Sequence, residues 1–260
     1  MKSALAALVL LAGTATCFAQ SAPADAVKDL APTGTLRAAI NLSNIVLAQR
    51  DAAGPKGATP DLARELAKRL NVPVELVPFD AAGKVFEAAK TDQWDVAFLA
   101  IEPVRAAEIA FTAPYVIIQG VYLVPKDSPL KTLADMDRDN VRIGVNKGSA
   151  YDLFLTRSLK NAKLVREVSG PDAFVAQKLE AVAGVKQAML LWAKDRNDVR
   201  MIEQPFMQIN QAMGTPQTRG EAGKKYLKTF IEEMKASGFV AKALERSGQG
   251  DATVAPAATN

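Results

Sequence analysis

The stretch from Trp94 to Tyr122, WDVAFLAIEPVRAAEIAFTAPYVIIQGVY, constrains the fold most tightly. Val96, Ala97, Phe98, Leu99 and Ile101 make a short, nearly continuous apolar run, the pattern of a strand covered on both faces. Pro103 fixes its own φ and has no N–H to donate, so Glu102-Pro103 ends that strand in a turn. Arg105 then falls just beyond a strand's C-terminal end, the edge where open α/β sheets bind ligands. Its planar donor fork suits a carboxylate or a phosphate, although a partner for Glu102 or Glu108 would also account for an arginine there. A second apolar element and a Pro-containing turn are expected to follow.

The surrounding pattern alternates strand and helix. GTLRAAI (residues 34–40) reads as a first strand and Asn41 to Asn44 as the loop at its end. Asp61 is expected to cap an amphipathic helix carrying Leu62, Leu66 and Leu70. Residues 72–77 read as strand two and 82–91 as helix two, with Val85, Phe86 and Ala89 inward. Strand–helix–strand–helix–strand implies a parallel sheet with covering helices. Residues 121–125 read as a crossing into a second lobe. There Val141 to Val145 forms a strand that feeds Asn146-Lys147-Gly148-Ser149-Ala150-Tyr151 and the helix AYDLFLTRSLKNA. Such a turn exposes backbone N–H groups at a positive helix end, an anion site, although Ser149 could simply cap the helix. Residues 204–206 cross back, and two helices (219–236 and 239–247) close the fold.

Other classes are excluded by what is missing. The chain has 260 residues and no histidine, which removes Ser-His-Asp and Cys-His catalysis and most zinc sites. A net charge of +4, unpatterned, gives no case for nucleic acid. Residues 1–19 read as a secretory signal peptide, with Lys2, the apolar run Ala4 to Ala12 and small residues before a cleavage after Ala19. The only cysteine is Cys17, so no disulfide can form within the chain. No cofactor or metal is expected.

DVAFLAIEPVRAAEIAFTAPY resembles the central signature of the family 3 bacterial extracellular solute-binding proteins, the amino-acid ABC-transporter type. The resemblance runs over roughly residues 34–249. It implies a two-lobed α/β fold, type II, each lobe a mostly parallel sheet flanked by helices, with the ligand cleft between them. The expected divisions are a flexible lead-in (20–33), lobe one (34–123 plus 204–248), lobe two (124–203) and a disordered tail (249–260). The resemblance implies a monomeric periplasmic binder of a small carboxylate solute, delivered to an inner-membrane ABC permease. It places Arg105 on the carboxylate, opposite Gly148, Ser149 and Ala150. Asn41, Asn44 and Tyr151 are candidates to line the cleft. The family's ammonium-binding aspartate has no counterpart, because Gly184 or Val185 stands there, and Glu102 replaces a threonine. Either the ligand lacks an amine, or Glu102 takes the ammonium. Two alternatives remain: a cyclohexadienyl-dehydratase-like enzyme using Glu102 or Glu180 as acid, and a sensor feeding a separate receptor.

Overall fold

The computed structural model describes residues 22–259. The expected signal peptide and Cys17 lie outside them. One sheet runs through the molecule in the order β2-β1-β3-β9-β4-β7-β5-β6. On one side β1 (Leu36–Asn41) pairs parallel with β2 (Val74–Phe79) and β3 (Val96–Ala100). On the other β5 (Arg142–Asn146) pairs parallel with β6 (Lys163–Glu167) and β7 (Ala181–Val185). Two antiparallel strands, β4 (Ile109–Pro125) and β9 (Met207–Pro216), join these wings, and short β8 (Val199–Met201) also pairs with β4. Helices cover the sheet on each side, so the expected two-lobed α/β architecture holds.

Local chemistry explains the elements. All five residues of β3 are buried, as its unbroken apolar run requires. Helix α2 (Ala58–Leu70) buries Leu62, Leu66 and Leu70 and stops at Asn71, whose left-handed φ of 56° ends the helix. Asp61 lies in its first turn rather than at the cap, which is Gly57. Pro103 occupies the first position of the four-residue helix α4 (Pro103–Ala106), where its missing N–H costs nothing. The expected Pro-containing turn near Pro114 does not form. Pro114 sits within β4 at a bulge, where the register to β9 slips, and a bulge needs no ladder N–H.

The pairing of β4 passes from β9 to β7 at Gly120, which faces both Met207 and Val185. A Cβ there would meet Met207 Cγ at 2.7 Å and Phe206 Cζ at 2.9 Å, so glycine leaves room for these two side chains over the crossing.

The first and last described residues carry secondary structure that the sequence did not lead us to expect. In place of a flexible lead-in, α1 (Ala24–Leu30) buries Ala26 and Leu30, and Asp29 accepts the Gly223 N–H at 2.9 Å at the start of α8 (Glu221–Ala236). In place of a disordered tail, β10 (Thr253–Val254) pairs with β4 opposite Ile117 and Val116. Lys235 on α8 donates to the Pro256 carbonyl at 2.8 Å and holds the tail beyond it. The composition of these segments is polar and Ala/Pro-rich, but backbone pairing does not depend on it.

Candidate functional site

A cavity of about 430 Å³ opens where the C-terminal ends of β1, β3, β5 and β7 face each other. Asn41, Ala100, Asn146 and Val185, at or next to those four ends, all line it. This is the position where strand ends and helix starts leave backbone groups unspent.

Arg105 is 1% exposed and lines this cavity. Its Nη1 donates to the Ala100 carbonyl at 3.0 Å and its Nη2 to the Gly148 carbonyl at 2.9 Å. A guanidinium carries five N–H donors. Arg105 Nε has no partner among the described residues, and no carboxylate pairs with the cation. Burial pulls its pKa down to about 10, with Glu102 opposing that weakly. A buried cation held by neutral carbonyls and keeping unspent donors is chemically able to take an anion.

Across the cavity, α5 (Ala150–Ser158) begins. Ser149 caps it, its Oγ accepting the Asp152 N–H at 3.1 Å. Ser149, Ala150 and Tyr151 line the cavity, and among the described residues the N–H groups of Ala150 and Tyr151 have no acceptor. Gly148 plays another part than the expected amide donor. Its N–H donates to Asp152 Oδ2 at 2.8 Å, so only its carbonyl is turned to Arg105. Asp152 in turn accepts from Arg166 Nε at 2.8 Å, which fixes the loop. Gly148 adopts φ 72°, and a Cβ on it would meet Gly83 Cα at 3.0 Å. The two lobes therefore touch backbone to backbone at that edge. Burial pushes the Tyr151 phenol up to about 12, so it stays neutral.

Glu102 does not line the cavity. It is 3% exposed, and its Oε2 lies 2.6 Å from Nη2 of Arg157 on α5. The contact is off the hydrogen-bonding angle, so that oxygen has no aligned donor. It joins the lobes as an ion contact and leaves Glu102 unavailable to an ammonium in the cavity. Glu180 is likewise engaged, with Nη2 of Arg142 at 2.8 Å.

Sequence reasoning missed several lining residues. Gln211 is 6% exposed and makes no hydrogen bond through its side chain among the described residues. It shares the buried face of β9 with Ile209 and Met213, so a polar residue on an apolar face was the available signal. Asn44 was not missed: the sequence places it with Asn41 at a strand end facing the cleft, and it lines the cavity with its Oδ1 buried and without a partner among the described residues. Trp192 and Met189 come from α7 (Lys186–Ala193), a helix without a clear period. Trp192 packs edge-on against Phe174 at 6.2 Å and also lines the cavity. Lys186 and Gln187 line a separate pocket behind β4.

Comparison with known proteins identifies the family and the fold. The family model described as bacterial extracellular solute-binding proteins, family 3, matches residues 36–249. A curated relative, cyclohexadienyl dehydratase of Pseudomonas aeruginosa, is 25% identical over 254 residues, 93% of this chain and 91% of that protein. Among solved structures, the solute receptor for L-cysteine of Neisseria gonorrhoeae superposes with a TM-score of 0.72 at 24% identity, over 85% of this chain and 92% of that one. A mutant of ArgBP from T. maritima gives 0.71 at 21% identity, over 86% and 99%. These structures share the fold.

Proposed function

Since the chain belongs to the bacterial extracellular solute-binding proteins, family 3, we propose that it is the periplasmic substrate-binding component of an ABC uptake transporter and that it holds a small carboxylate solute between its lobes. The observation that carries this reading is Arg105: a buried cation without an anion, set in a cavity across from the free N–H groups of Ala150 and Tyr151. A carboxylate placed there takes charge-assisted hydrogen bonds from both lobes, and so favours the arrangement in which they meet. Asn41, Tyr151 and Val185 form the walls. Lobe one comprises residues 34–123 plus 204–248 and lobe two residues 124–203, with the hinge at the crossing strands. The closed surface is what an inner-membrane permease would recognise, and a monomer suffices for that.

The dehydratase relative favours a second reading, an enzyme on the same fold. Elimination of water needs a positioned proton donor. The acids expected to serve, Glu102 and Glu180, are each held by an arginine away from the cavity. Asp80 is the only carboxylate lining it among the described residues, and Lys84 holds it at the exposed rim, with Nζ 2.9 Å from Oδ1. Binding without chemistry is therefore the better reading.

The test is a melting-temperature panel of small carboxylates on the chain from Gln20 onward, with mass spectrometry of the recovered ligand. A stabilising acid raises the melting temperature and comes back unchanged. An acid that returns as a different molecule sinks the transport reading, and a panel with no shift removes the carboxylate site.

A further inference from the structure

We propose that the solute is an amine-free monocarboxylic acid with an apolar body, and not an amino acid; this rests on the reading of the cavity as a carboxylate site. The charges that line the cavity decide it first. Arg105 and Lys147 are cations, and Asp80 is the sole carboxylate among the described lining residues. Asp80 is exposed at the rim, and its pairing with Lys84 holds its carboxyl below the usual range. Lys147 is exposed to solvent, so Arg105 is the one buried cation among the described lining residues, and a single carboxylate matches it. A zwitterion satisfies Arg105 but buries an ammonium that no anion inside the cavity compensates, and an unpaired buried charge is costly. Gln211 and Asn44 can accept a hydrogen bond from an ammonium, but neutral amides leave its charge in place. The same amides suit a carbonyl or hydroxyl on the acid.

The lobe-two wall decides it a second time. A side chain at Gly184 would have to displace Met189, because a Cβ there would meet Met189 Cε at 2.6 Å and Sδ at 2.8 Å. The thioether of Met189 thus fills the place beside β7 from which a carboxylate could reach in. Val185, Met189, Pro171 and Trp192 make this wall apolar. At its mouth Val168 and Leu191 stand 87% and 62% exposed, an apolar pair that a ligand body would cover. Burying such surface is favourable in proportion to its area, and a small polar acid would leave it wet.

Isothermal titration of the chain from Gln20 onward tests this with matched pairs: phenylalanine against phenylpyruvate, leucine against 4-methyl-2-oxopentanoate, and acetate and succinate as acids without an apolar body. The acids with apolar bodies are expected to bind about 100-fold or more tighter than their amino counterparts, as expected where one partner's charge goes unpaired. Val185→Asp supplies the missing anion and is expected to move the preference toward the amino acids by about tenfold or more. Amino acids binding as tightly as their acids overturn the proposal and leave the carboxylate site standing. Succinate or acetate binding as tightly as phenylpyruvate overturns the apolar, monovalent part. If no acid and no amino acid binds, the carboxylate site itself is wrong and the proposal falls with it.

Discussion

Replacing Arg105 by methionine separates a binding arginine from a structural one. Burial holds the pKa of this guanidinium down to about 10. The ligand-free fold therefore carries the charge at a cost of roughly 3 kcal/mol. That cost is present at every pH below about 10, where folded and unfolded chains are both protonated. It is relieved as pH rises through that value, because the folded chain releases the proton first. The hydrogen bonds to Ala100 and Gly148 offset it, at roughly 1.5–3 kcal/mol each for a charged donor. Arg105→Met removes both the cost and the bonds, so ligand-free stability should change by no more than about 3 kcal/mol, or roughly 6–12 °C in melting temperature. Binding should suffer far more. Losing a buried charge partner costs about 2–5 kcal/mol, or roughly 30- to 5000-fold in Kd. Calorimetry of the ligand-free variant and titration with the best-binding acid read the two quantities separately. A fall in melting temperature beyond about 12 °C with Kd unchanged would show that Arg105 serves the fold alone.

Asp95 is fully buried between Arg37 and Arg219, at 2.8 and 2.9 Å, at the end of β3 away from the cavity. Asp95→Ala should lower stability by about 1–3 kcal/mol in a denaturant titration, because Arg37 and Arg219 lose their buried partner and keep only the exposed Asp92, and leave Kd within about twofold. Glu102→Gln should weaken ligand binding a few-fold, and a double-mutant cycle with Arg157→Gln should show coupling near 1 kcal/mol; additive effects in the cycle would mean that the ion contact does not help hold the lobes together. Truncation after Gly250 removes β10 and the Pro256 contact of Lys235. It should lower the melting temperature by a few degrees, about 1 kcal/mol, with Kd unchanged, and an unaltered melting curve would show that the tail contributes nothing.

The site was legible where one residue type carries both local structure and chemistry. Pro103 ends β3 and thereby places Arg105 at a strand's C-terminal end, and both facts can be read from EPVR. Ser149, Ala150 and Tyr151 follow a strand and open a helix, so their place was legible too. The Gly148 amide was misread because its acceptor, Asp152, lies four residues on within the helix that the same turn begins. Glu102 was misread for a different reason. Its partner Arg157 comes from the other lobe, and no local pattern encodes a pairing across the cleft. Gln211 and Trp192 belong to elements whose inner faces are set by tertiary packing rather than by period. The order of the two termini was invisible for a similar reason: β10 is held by backbone pairing to β4 and α1 by packing on α8, and neither needs a distinctive sequence.

Three contacts close the cleft without a ligand: Arg105 on the Gly148 carbonyl, Glu102 against Arg157, and Gly83 against Gly148. None is strong enough to hold the lobes shut by itself. The Arg157 side chain is 44% exposed, so its ion contact is screened and contributes about 1 kcal/mol at most. The glycine contact contributes only van der Waals attraction over a few atoms. Arg105 works in both directions, since closing over it gains a hydrogen bond and deepens its burial. On the proposed reading of a cleft that closes on its ligand, contacts this weak would leave open and closed arrangements within a few kcal/mol of each other, the range in which a ligand can shift the population. An anion changes the sign of the largest contribution. With a carboxylate on Arg105, closure no longer buries an unpaired charge but a matched pair, and the free N–H groups of Ala150 and Tyr151 acquire an acceptor. Differential affinity of this kind is what a population shift requires. It follows that closure should track the charge of the ligand more closely than its size. A neutral amide isostere of a bound acid should fill the same cavity and leave the lobes apart in small-angle scattering, and a closed profile with the amide would refute this account of the switch.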